Sequence, residues 1–363
     1  MKITKLQVTN FRNLEPDIIT FGSGINCIFG DNGNGKTNIL EAIYYLIQRK
    51  SFRKNTSFPQ MISIDGENQE ILFSSLFKSM ENEDVPYSGK VTSDSNFWYL
   101  DGKSTKKKIE VGVVFINPFD SQQFHTSSTF RRHWIDTYLS QISPEYKKNL
   151  SKYTKFLRNR NTLLSKKPYD YKGQITALDR ELAPIALDIT KQRVVFLEQM
   201  NTRLRDTFFE LFSESHELVV SLDSKLIDKK EDFFLELMKS NSAKDEIIGR
   251  TQYGVHLDDY VLLFDGLNSY DFCSLGQQKM SYLSLLFAYT ELFRYKFTSF
   301  PIVLLDDVSG ELDSLRWQRL VDYLKQKEFQ VLITTANDKF KEGLDTITGA
   351  TKIEVAAGSI HNA

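Results

Sequence analysis

The sequence predicts an α/β fold with a mixed sheet, interrupted by a helical insertion, and three observations predict it. A strand, a glycine-rich loop and a helix follow one another before residue 48, strand and helix signals alternate again from Tyr260, and the stretch between has helical spacing. The 363 residues suit one large domain in two parts, 1–120 and 251–363, with a helical arm over 121–250.

In the first part Leu6 and Val8 alternate as in a strand, Gly22 and Gly24 break the chain, and Ile25 to Phe29 is a short buried strand. From Thr37 to Gln48 the residues Ile39, Ile43 and Leu46 recur on one helical face, widened by Leu40 and Ile47. Residues 60–118 are β-rich: Ile71 to Phe77, Val91 to Leu100 and Glu110 to Ile116 read as segments of a sheet that extends the first strands.

The insertion opens with Ser143 and Pro144, an N-cap and first-turn signal. Tyr146, Leu150, Tyr153, Leu157 and Leu164 form a heptad seam, and Leu178, Leu182, Ile185, Ile189, Phe196, Met200 and Leu204 continue it in a second helix. A turn over Lys166 to Gly173 makes the two a short antiparallel, coiled-coil-like arm, with Pro184 starting or kinking the second helix. After it, Val261 to Phe264 is a strand, Gln277 to Phe293 a long helix, Pro301 to Leu305 a buried strand, Leu315 to Lys325 a helix and Val331 to Thr334 a strand.

Apolar residues at 41% and aromatics at 13% supply a core without staples. Cys27 and Cys273 are the only cysteines, with no CxxC or Cys/His cluster, so neither a disulfide framework nor a zinc site is expected. The N-terminus lacks a signal-peptide core, no apolar run approaches the ~18 residues of a membrane span, and a cytoplasmic location is expected. A net charge of −1 means that any nucleic acid must meet a local basic face.

Gly30-Asp31-Asn32-Gly33-Asn34-Gly35-Lys36-Thr37 matches GxxxxGK[ST] between a strand and a helix, the context that gives the string meaning. Small residues let backbone N–H groups face phosphate oxygens, the helix N-terminus adds its positive end, Lys36 reaches the β- and γ-phosphates, and Thr37 holds Mg²⁺. ATP and Mg²⁺ are the expected ligands. Asp306 and Asp307 end an apolar strand, which suits Asp306 to Mg²⁺ and Asp307 to polarising the attacking water; a buried strand ending in a turn carboxylate is also ordinary architecture. Ser274-Leu275-Gly276-Gln277 opens the long helix as an anion site or as a plain N-cap, and Ser309-Gly310-Glu311-Leu312-Asp313 follows the paired acids.

The order of these strings resembles the ABC-type ATPase head. Phe11-Arg12-Asn13, Lys36 to Ile43, Arg131-Arg132 with Ile135-Asp136, Leu157 to Asn161, Gly254 to Asp259 and Leu305 to Asp313 narrow the resemblance to the RecF family of recombinational-repair proteins. The resemblance implies that Arg12 and Asn13 join the ATP site, that Ser274, Gly276 and Gln277 complete the site of a second subunit, and that Ser309, Gly310, Glu311 and Asp313 form the loop between subunits. It also implies an ATP-dependent homodimer with slow, DNA-stimulated turnover. Such a dimer would clamp DNA at single-strand gaps and junctions, with RecR- and RecO-type mediators and a RecA-type recombinase as partners. Asn117 to Asp120 keeps one of the family's two acids, leaving Gln122 or Gln123 as substitutes, and Gly254 to Asp259 has Val255 and Leu257 where the family commonly has proline and arginine. Thr334-Thr335 stands where ABC transporters carry a histidine, and His256 suits a structural role better than a chemical one.

Between Pro144 and Lys172 nine basic residues face two acids, a salt-sensitive DNA surface or a solvated face. The candidates are Lys147, Lys148, Lys152, Lys155, Arg158 and Arg160, with Arg131 and Arg132 before them and Lys106, Lys107 and Lys108 beyond a hairpin turn at Asp101-Gly102. A chromosome-scaffolding SMC protein would need a far longer arm, a transporter ATPase a membrane partner, and an overcoming-lysogenisation nuclease an appended acidic domain.

Overall fold

The computed structural model describes residues 1–64, 69–117, 119–212, 214–307, 313–327, 329–335 and 349–362. The chain forms two compact units: 1–120 with 210–212 and 293–363, and 121–209 with 213–292. Residues 251–292, read along the sequence with the second part of the nucleotide domain, group with the helical unit.

In the first unit β1 (Lys2–Thr9), β2 (Ile18–Thr20), β3 (Ile25–Phe29), α1 (Lys36–Gln48), α2 (Phe58–Met61), β4 (Ile71–Lys78), β5 (Asp84–Val91), β6 (Asn96–Leu100), β7 (Lys103–Ser104) and β8 (Val113–Ile116) follow in order. The chain returns to this unit with β12 (Ile302–Asp306), α11 (Ser314–Gln326), β13 (Val331–Thr335), β14 (Thr351–Ala356) and β15 (Ser359–Asn362). One sheet has the order β2-β1-β4-β5-β6-β7 and is antiparallel; the other runs β15-β14-β3-β13-β12-β8, parallel except for β15.

The central parallel strands are mostly apolar because both faces are covered: every residue of β3 and β13 is buried, Asn26, Thr334 and Thr335 included, whereas β14 alternates. The antiparallel strands alternate instead, β4 burying Ile71, Phe73, Ser75 and Phe77. Helix α1 packs into the core shared by both sheets; Tyr45 stacks on Phe73 of β4 at 5.5 Å, while Tyr44 meets Phe115 of β8 edge-on at 6.2 Å. The expected segment Glu110 to Ile116 contributes β8, an edge strand of the parallel sheet beside β12 rather than an extension of the antiparallel one. The expected Val91 to Leu100 segment is two strands, with Thr92 and Ser95 closing the turn between β5 and β6.

The second unit holds α3 (Asp120–Thr126, its first residue counted with the first unit), α4 (Ser128–Ile142), α5 (Pro144–Lys166) and α6 (Tyr171–Phe212, its last three residues counted with the first unit). There follow β9 (Leu218–Asp223), α7 (Glu231–Ser240), α8 (Ser242–Ile248), a 3-10 turn at Val255–Leu257, β10 (Asp259–Phe264), β11 (Leu267–Asn268), α9 (Ser269–Phe272) and α10 (Leu275–Phe297, counted with the first unit from Phe293). Ser143 caps α5 by accepting from Tyr146 N at 3.1 Å, with Pro144 in the first turn.

Helices α5 and α6 run antiparallel. Ser143 bonds Gln192, Asn149 bonds Asp188 and Arg160 bonds Asp179, so position falls along α6 as it rises along α5. Pro184 lies inside α6, on its exposed side, and neither starts nor ends it. β9, absent from the sequence expectation, pairs with β10 in a three-stranded sheet, and β14 and β15 were likewise unforeseen.

Candidate nucleotide site

The loop from Gly30 to Gly35 joins the carboxyl end of β3 to α1, the end of a parallel sheet where such folds place ligands. Its backbone needs glycine. Gly30 has φ 148°, and a Cβ there would stand 2.2 Å from the Val355 carbonyl; Gly35 has φ 109°, with Leu14 Cδ2 2.9 Å from the same hypothetical atom. No side chain caps the first turn of α1, leaving its leading N–H groups for an anion.

Lys36 is 7% exposed and donates from Nζ to the carbonyl oxygens of Gly30 at 2.7 Å and Asp31 at 2.9 Å. Burial lowers its pKa, and Asp307, Asp306 and Asp31 pull the other way. Thr37 Oγ1 lies 2.8 and 3.0 Å from the two carboxylate oxygens of Asp306. Thr334, on the intervening strand β13, donates its hydroxyl to Asp306 Oδ1 at 2.7 Å and accepts from Asp307 N through Oγ1 at 3.0 Å. Asp307 has φ 45°, a left-handed conformation uncommon outside glycine, held by that second bond and by the Thr334 carbonyl at 3.2 Å. Lys36, Thr37, Asp306 and Asp307 thus line one open cavity of about 350 Å³, with Asn32, Gly33, Gly35, Asn38, Arg53, Phe119 and Thr334.

Asn34 turns the other way: its Nδ2 donates to the Val355 carbonyl at 3.2 Å and its own carbonyl accepts from Gly358 N at 3.0 Å. Asn13 also braces the loop, donating to the Gly33 carbonyl at 2.9 Å and accepting from Asn38 at 2.7 Å. Arg12, expected in the ATP site, is committed elsewhere: it pairs with both oxygens of Glu41, at 3.1 and 2.8 Å, and does not line the cavity. Glu41 is fully buried and takes Ser51 at 2.6 Å and Arg53 at 3.3 Å as well.

Arg53 and Asn38 are cavity residues that the sequence did not single out, whereas Thr334 and Phe119 come from the position after the last strand and the Asn117 to Asp120 loop, both noted in the sequence. Arg53 is placed by Glu41 and by Asn38 Oδ1 at 2.7 Å, and a basic residue shortly after the helix was the one available signal. Asp120 is buried, and desolvation pushes its carboxyl up to about 7 against the hydrogen bonds from Asn117 and the nearby Lys54 charge; the Asp306 charge adds to the rise. Gln122 is exposed on α3.

In the helical unit Ser274 and Gln277 make a reciprocal box at the start of α10: Ser274 N donates to Gln277 Oε1 at 2.9 Å, and Gln277 N to Ser274 Oγ at 3.3 Å. Ser274 remains exposed and Gly276 half-buried. Ser309, Gly310 and Glu311 lie outside the described residues; Asp313 caps α11 by accepting from Arg316 N at 2.9 Å.

The basic candidates divide sharply. Lys147, Lys148, Lys152, Lys155 and Arg158 are exposed on α5, and Lys152 stands 3.8 Å from Glu181. Lys147, Lys155 and Arg158 line one groove with Ser151 and Thr154. Arg160, expected with them, is 1% exposed and bonds Asp179 at 2.6 Å, Asp245 at 2.7 Å and Thr251 at 2.9 Å, so it is a core ion pair and no phosphate contact. Arg131 is held bidentately by Asp259 at 2.8 Å and by two α3 carbonyls, and Arg132 donates to the Asp258 carbonyl at 2.8 Å; both are framework groups instead of the expected DNA contacts. Lys106 and Lys107 are exposed after the β6–β7 hairpin, whereas Lys108 donates to the Gln48 carbonyl at the end of α1. His256 bonds Tyr153 at 2.9 Å and the Thr251 carbonyl at 3.2 Å, and burial lowers its pKa, as a structural histidine requires.

The family model described as the RecF/RecN/SMC N terminal domain matches residues 2–357. Proteins called DNA replication and repair protein RecF are similar: that of Clostridium novyi (strain NT) is 30% identical over 342 residues, covering 92% of each chain. That of Clostridium botulinum (strain Eklund 17B / Type B) is 31% identical over 346 residues, covering 93% of this chain and 94% of its own. A solved structure of the recombination mediator protein RecF-ATP in the RecFOR pathway superposes with TM-score 0.86 at 25% identity, covering 100% of this chain and 97% of the other. An SMC head bound to the C-winged helix domain of ScpA shares the fold, with TM-score 0.60 at 16% identity, covering 100% and 97%. No helix among the described residues is long and apolar enough to cross a membrane.

Proposed function

The chain belongs to the RecF family of SMC-like ATPases, and from that premise we propose that it binds and hydrolyses Mg-ATP to pair two copies around DNA during replication and repair. The observation that carries the proposal is the convergence of the Thr37 hydroxyl and the Asp306 carboxylate, 2.8 Å apart, beside Lys36 in one cavity. That oxygen pair fits Mg²⁺, which binds through one or two carboxylates together with substrate phosphates rather than an all-protein cage. When bound, the ion neutralises charge on the β- and γ-phosphates.

Lys36 leaves its carbonyl partners for the phosphates, and the free N–H groups of α1 hold their oxygens. Asp307, fixed by Thr334, takes the proton of the attacking water as its oxygen bonds to the γ-phosphorus and the bond to the bridging oxygen breaks. Ser274 and Gly276 of a second copy complete the site, with Asp313 and the preceding Ser309, Gly310 and Glu311 between the copies. Gln277 keeps its capping partner Ser274 in place. Turnover is slow and stimulated by DNA. The exposed Lys147, Lys148, Lys155 and Arg158 of α5 neutralise duplex phosphates at gaps and junctions. RecR- and RecO-type mediators and a RecA-type recombinase are the partners, in the cytoplasm, where the Cys27 and Cys273 thiols stay reduced.

The test compares DNA binding and ATPase stimulation on gapped, duplex and single-stranded DNA, for wild type and Lys36→Ala. ATP should strengthen binding to gapped DNA in the wild type alone; binding to gapped and duplex DNA that ignores ATP refutes the clamp. Ser274→Arg should keep ATP binding and lose ATP-dependent dimers in sedimentation.

A further inference from the structure

The hairpin of β14 and β15 packs against the loop that joins β3 to α1. β14 pairs in parallel with β3, Glu354 opposite Phe29, so the next residue, Val355, arrives beside Gly30. β15 folds back on β14 with Ala356 opposite Ser359. The two residues between, Ala357 at φ 49° and Gly358 at φ 89°, are both left-handed, as a tight two-residue hairpin turn requires. Ala357 is exposed, whereas Gly358 is buried.

Gly358 is wedged between two parts of the loop's frame. Its N–H donates to the Asn34 carbonyl at 3.0 Å, and its own carbonyl accepts from Glu15 N at 3.0 Å. A Cβ here would stand 1.9 Å from the Asn13 carbonyl oxygen, so close approach as well as positive φ demands glycine. Val355 adds a second clasp, its carbonyl accepting from Asn34 Nδ2 at 3.2 Å. Asn13, whose backbone packs on Gly358, holds the Gly33 carbonyl through its side chain at 2.9 Å. Beyond the turn, Ile360 N donates to Asp17 at 2.9 Å and ties β15 to the segment before β2.

The peptide that joins Asn34 to Gly35 is trans and planar, so its carbonyl and its N–H point in opposite directions. With the carbonyl drawn to the hairpin, the Gly35 N–H turns away from it, toward the cavity that Gly35 lines with Lys36 and Thr37. We propose that Gly358 is a positioning residue of the nucleotide site: through the Asn34 carbonyl it fixes the Gly35 N–H in the orientation that receives a phosphate oxygen. The inference rests on the nucleotide reading above and gives the hairpin a share of the affinity that the loop string alone would claim. The same N–H faces phosphate before and during hydrolysis, so its loss acts on KM and not on kcat.

The test compares Gly358→Ala with Gly349→Ala, a position of φ 83° with open space around it, so that both carry a left-handed alanine and only the first collides. A fluorescent ATP analogue reads affinity, and steady-state hydrolysis separates KM from kcat. Gly358→Ala should bind ATP and ADP about tenfold more weakly, the loss expected of one misdirected hydrogen bond to a charged group. Its KM should rise by the same factor, with kcat within twofold of wild type. Gly349→Ala should match the wild type throughout. Asp17→Ala, which only loosens β15, should weaken ATP binding about threefold and carries the test if Gly358→Ala does not fold. The proposal is overturned if Gly358→Ala binds ATP within twofold of Gly349→Ala, or if its kcat falls in step with the rise in KM. Where that variant does not fold, wild-type affinity in Asp17→Ala overturns it. Lost ATP binding in Lys36→Ala beside intact binding in Gly358→Ala refutes the hairpin's role alone, whereas a wild type that binds no ATP refutes the nucleotide reading itself.

Discussion

Arg158 and Arg160 sit two positions apart on one helix, and the structure gives them opposite fates. Arg160→Ala removes the partner of Asp179 and of Asp245, and Asp245 is 1% exposed. Burial opposes the arginine's charge, but its hydrogen bonds and ion pairs with the two carboxylates win and raise its pKa. Deleting it leaves buried carboxylates uncompensated, a cost of about 3–5 kcal/mol. In a unit of this size that lowers the melting temperature by roughly 2–4 °C per kcal/mol, or on the order of 10 °C in all. Arg158 is exposed and makes no ion pair among the described residues, so Arg158→Ala should change stability by less than about 0.5 kcal/mol. It should instead reduce the slope of log affinity for duplex DNA against log salt by about 0.9. Thermal unfolding by circular dichroism and a salt titration of DNA binding check both arms. An Arg160→Ala protein that melts with the wild type, or an Arg158→Ala protein that melts far below it, refutes the division between core and surface arginines.

Thr334→Val removes a hydroxyl bonded to both Asp306 and the Asp307 backbone; ATP hydrolysis should fall at least tenfold while nucleotide affinity, read by a fluorescent ATP analogue, changes less. Glu41→Gln leaves Arg12 with a neutral partner at a fully buried site and should cost about 3 kcal/mol, measured by urea unfolding, with nucleotide affinity reduced through Arg53. Asp120 supplies a pH dependence: burial raises its carboxyl from 3.8 to about 7, so the folded form holds a proton that the unfolded chain has lost within that window. The stability it contributes is full at the acid end and lost as pH rises through about 7, and Asp120→Asn should melt higher than wild type at pH 8 with the gap closing toward pH 4.

Most of the fold and the geometry of the loop were legible because they are local. Ile25 to Phe29 is apolar but for Asn26 and does not alternate, Ser143-Pro144 states a helix start, and the loop string fixes Lys36 and Thr37 beside α1. Asp306 was legible by its position at the end of an apolar run. Residues whose role depends on a distant partner were not. Arg12 matched a family string, but its fate was set by Glu41 on the far side of the loop, and a buried glutamate inside a helix looks like any surface glutamate. Arg53 reaches the cavity from a segment without motif spacing. β9 was hidden in a stretch dominated by helix formers, and only its pairing with β10 gives Leu218 to Asp223 a sheet to join.

Two of the strings that carried the family resemblance in the helical unit, Arg131 to Asp136 and Gly254 to Asp259, meet in one ion-pair framework. Arg193 occupies a buried position in the α6 seam and bonds Asp136 at 2.8 Å, Asp258 at 2.8 Å, the Val255 carbonyl at 2.8 Å and the Tyr146 hydroxyl at 2.9 Å. Arg131 and Arg132 grip the next residues, Asp259 through its carboxylate and Asp258 through its carbonyl. Three arginines therefore hold the segment 255–259 that leads directly into β10 and, through β11 and α9, to Ser274. An apolar seam would give equal or greater stability, since buried ion pairs rarely repay their desolvation. What a charged seam supplies is a single register: shifting α6 by one turn would strand the Arg193 guanidinium away from both carboxylates, whereas leucines would repack. On that argument, replacing Arg193, Asp136 and Asp258 together by apolar residues should leave the unit folded but loosen the position of Ser274, so that hydrogen exchange at 255–275 quickens while global stability holds. Slower or unchanged exchange there would mean that the network contributes only stability.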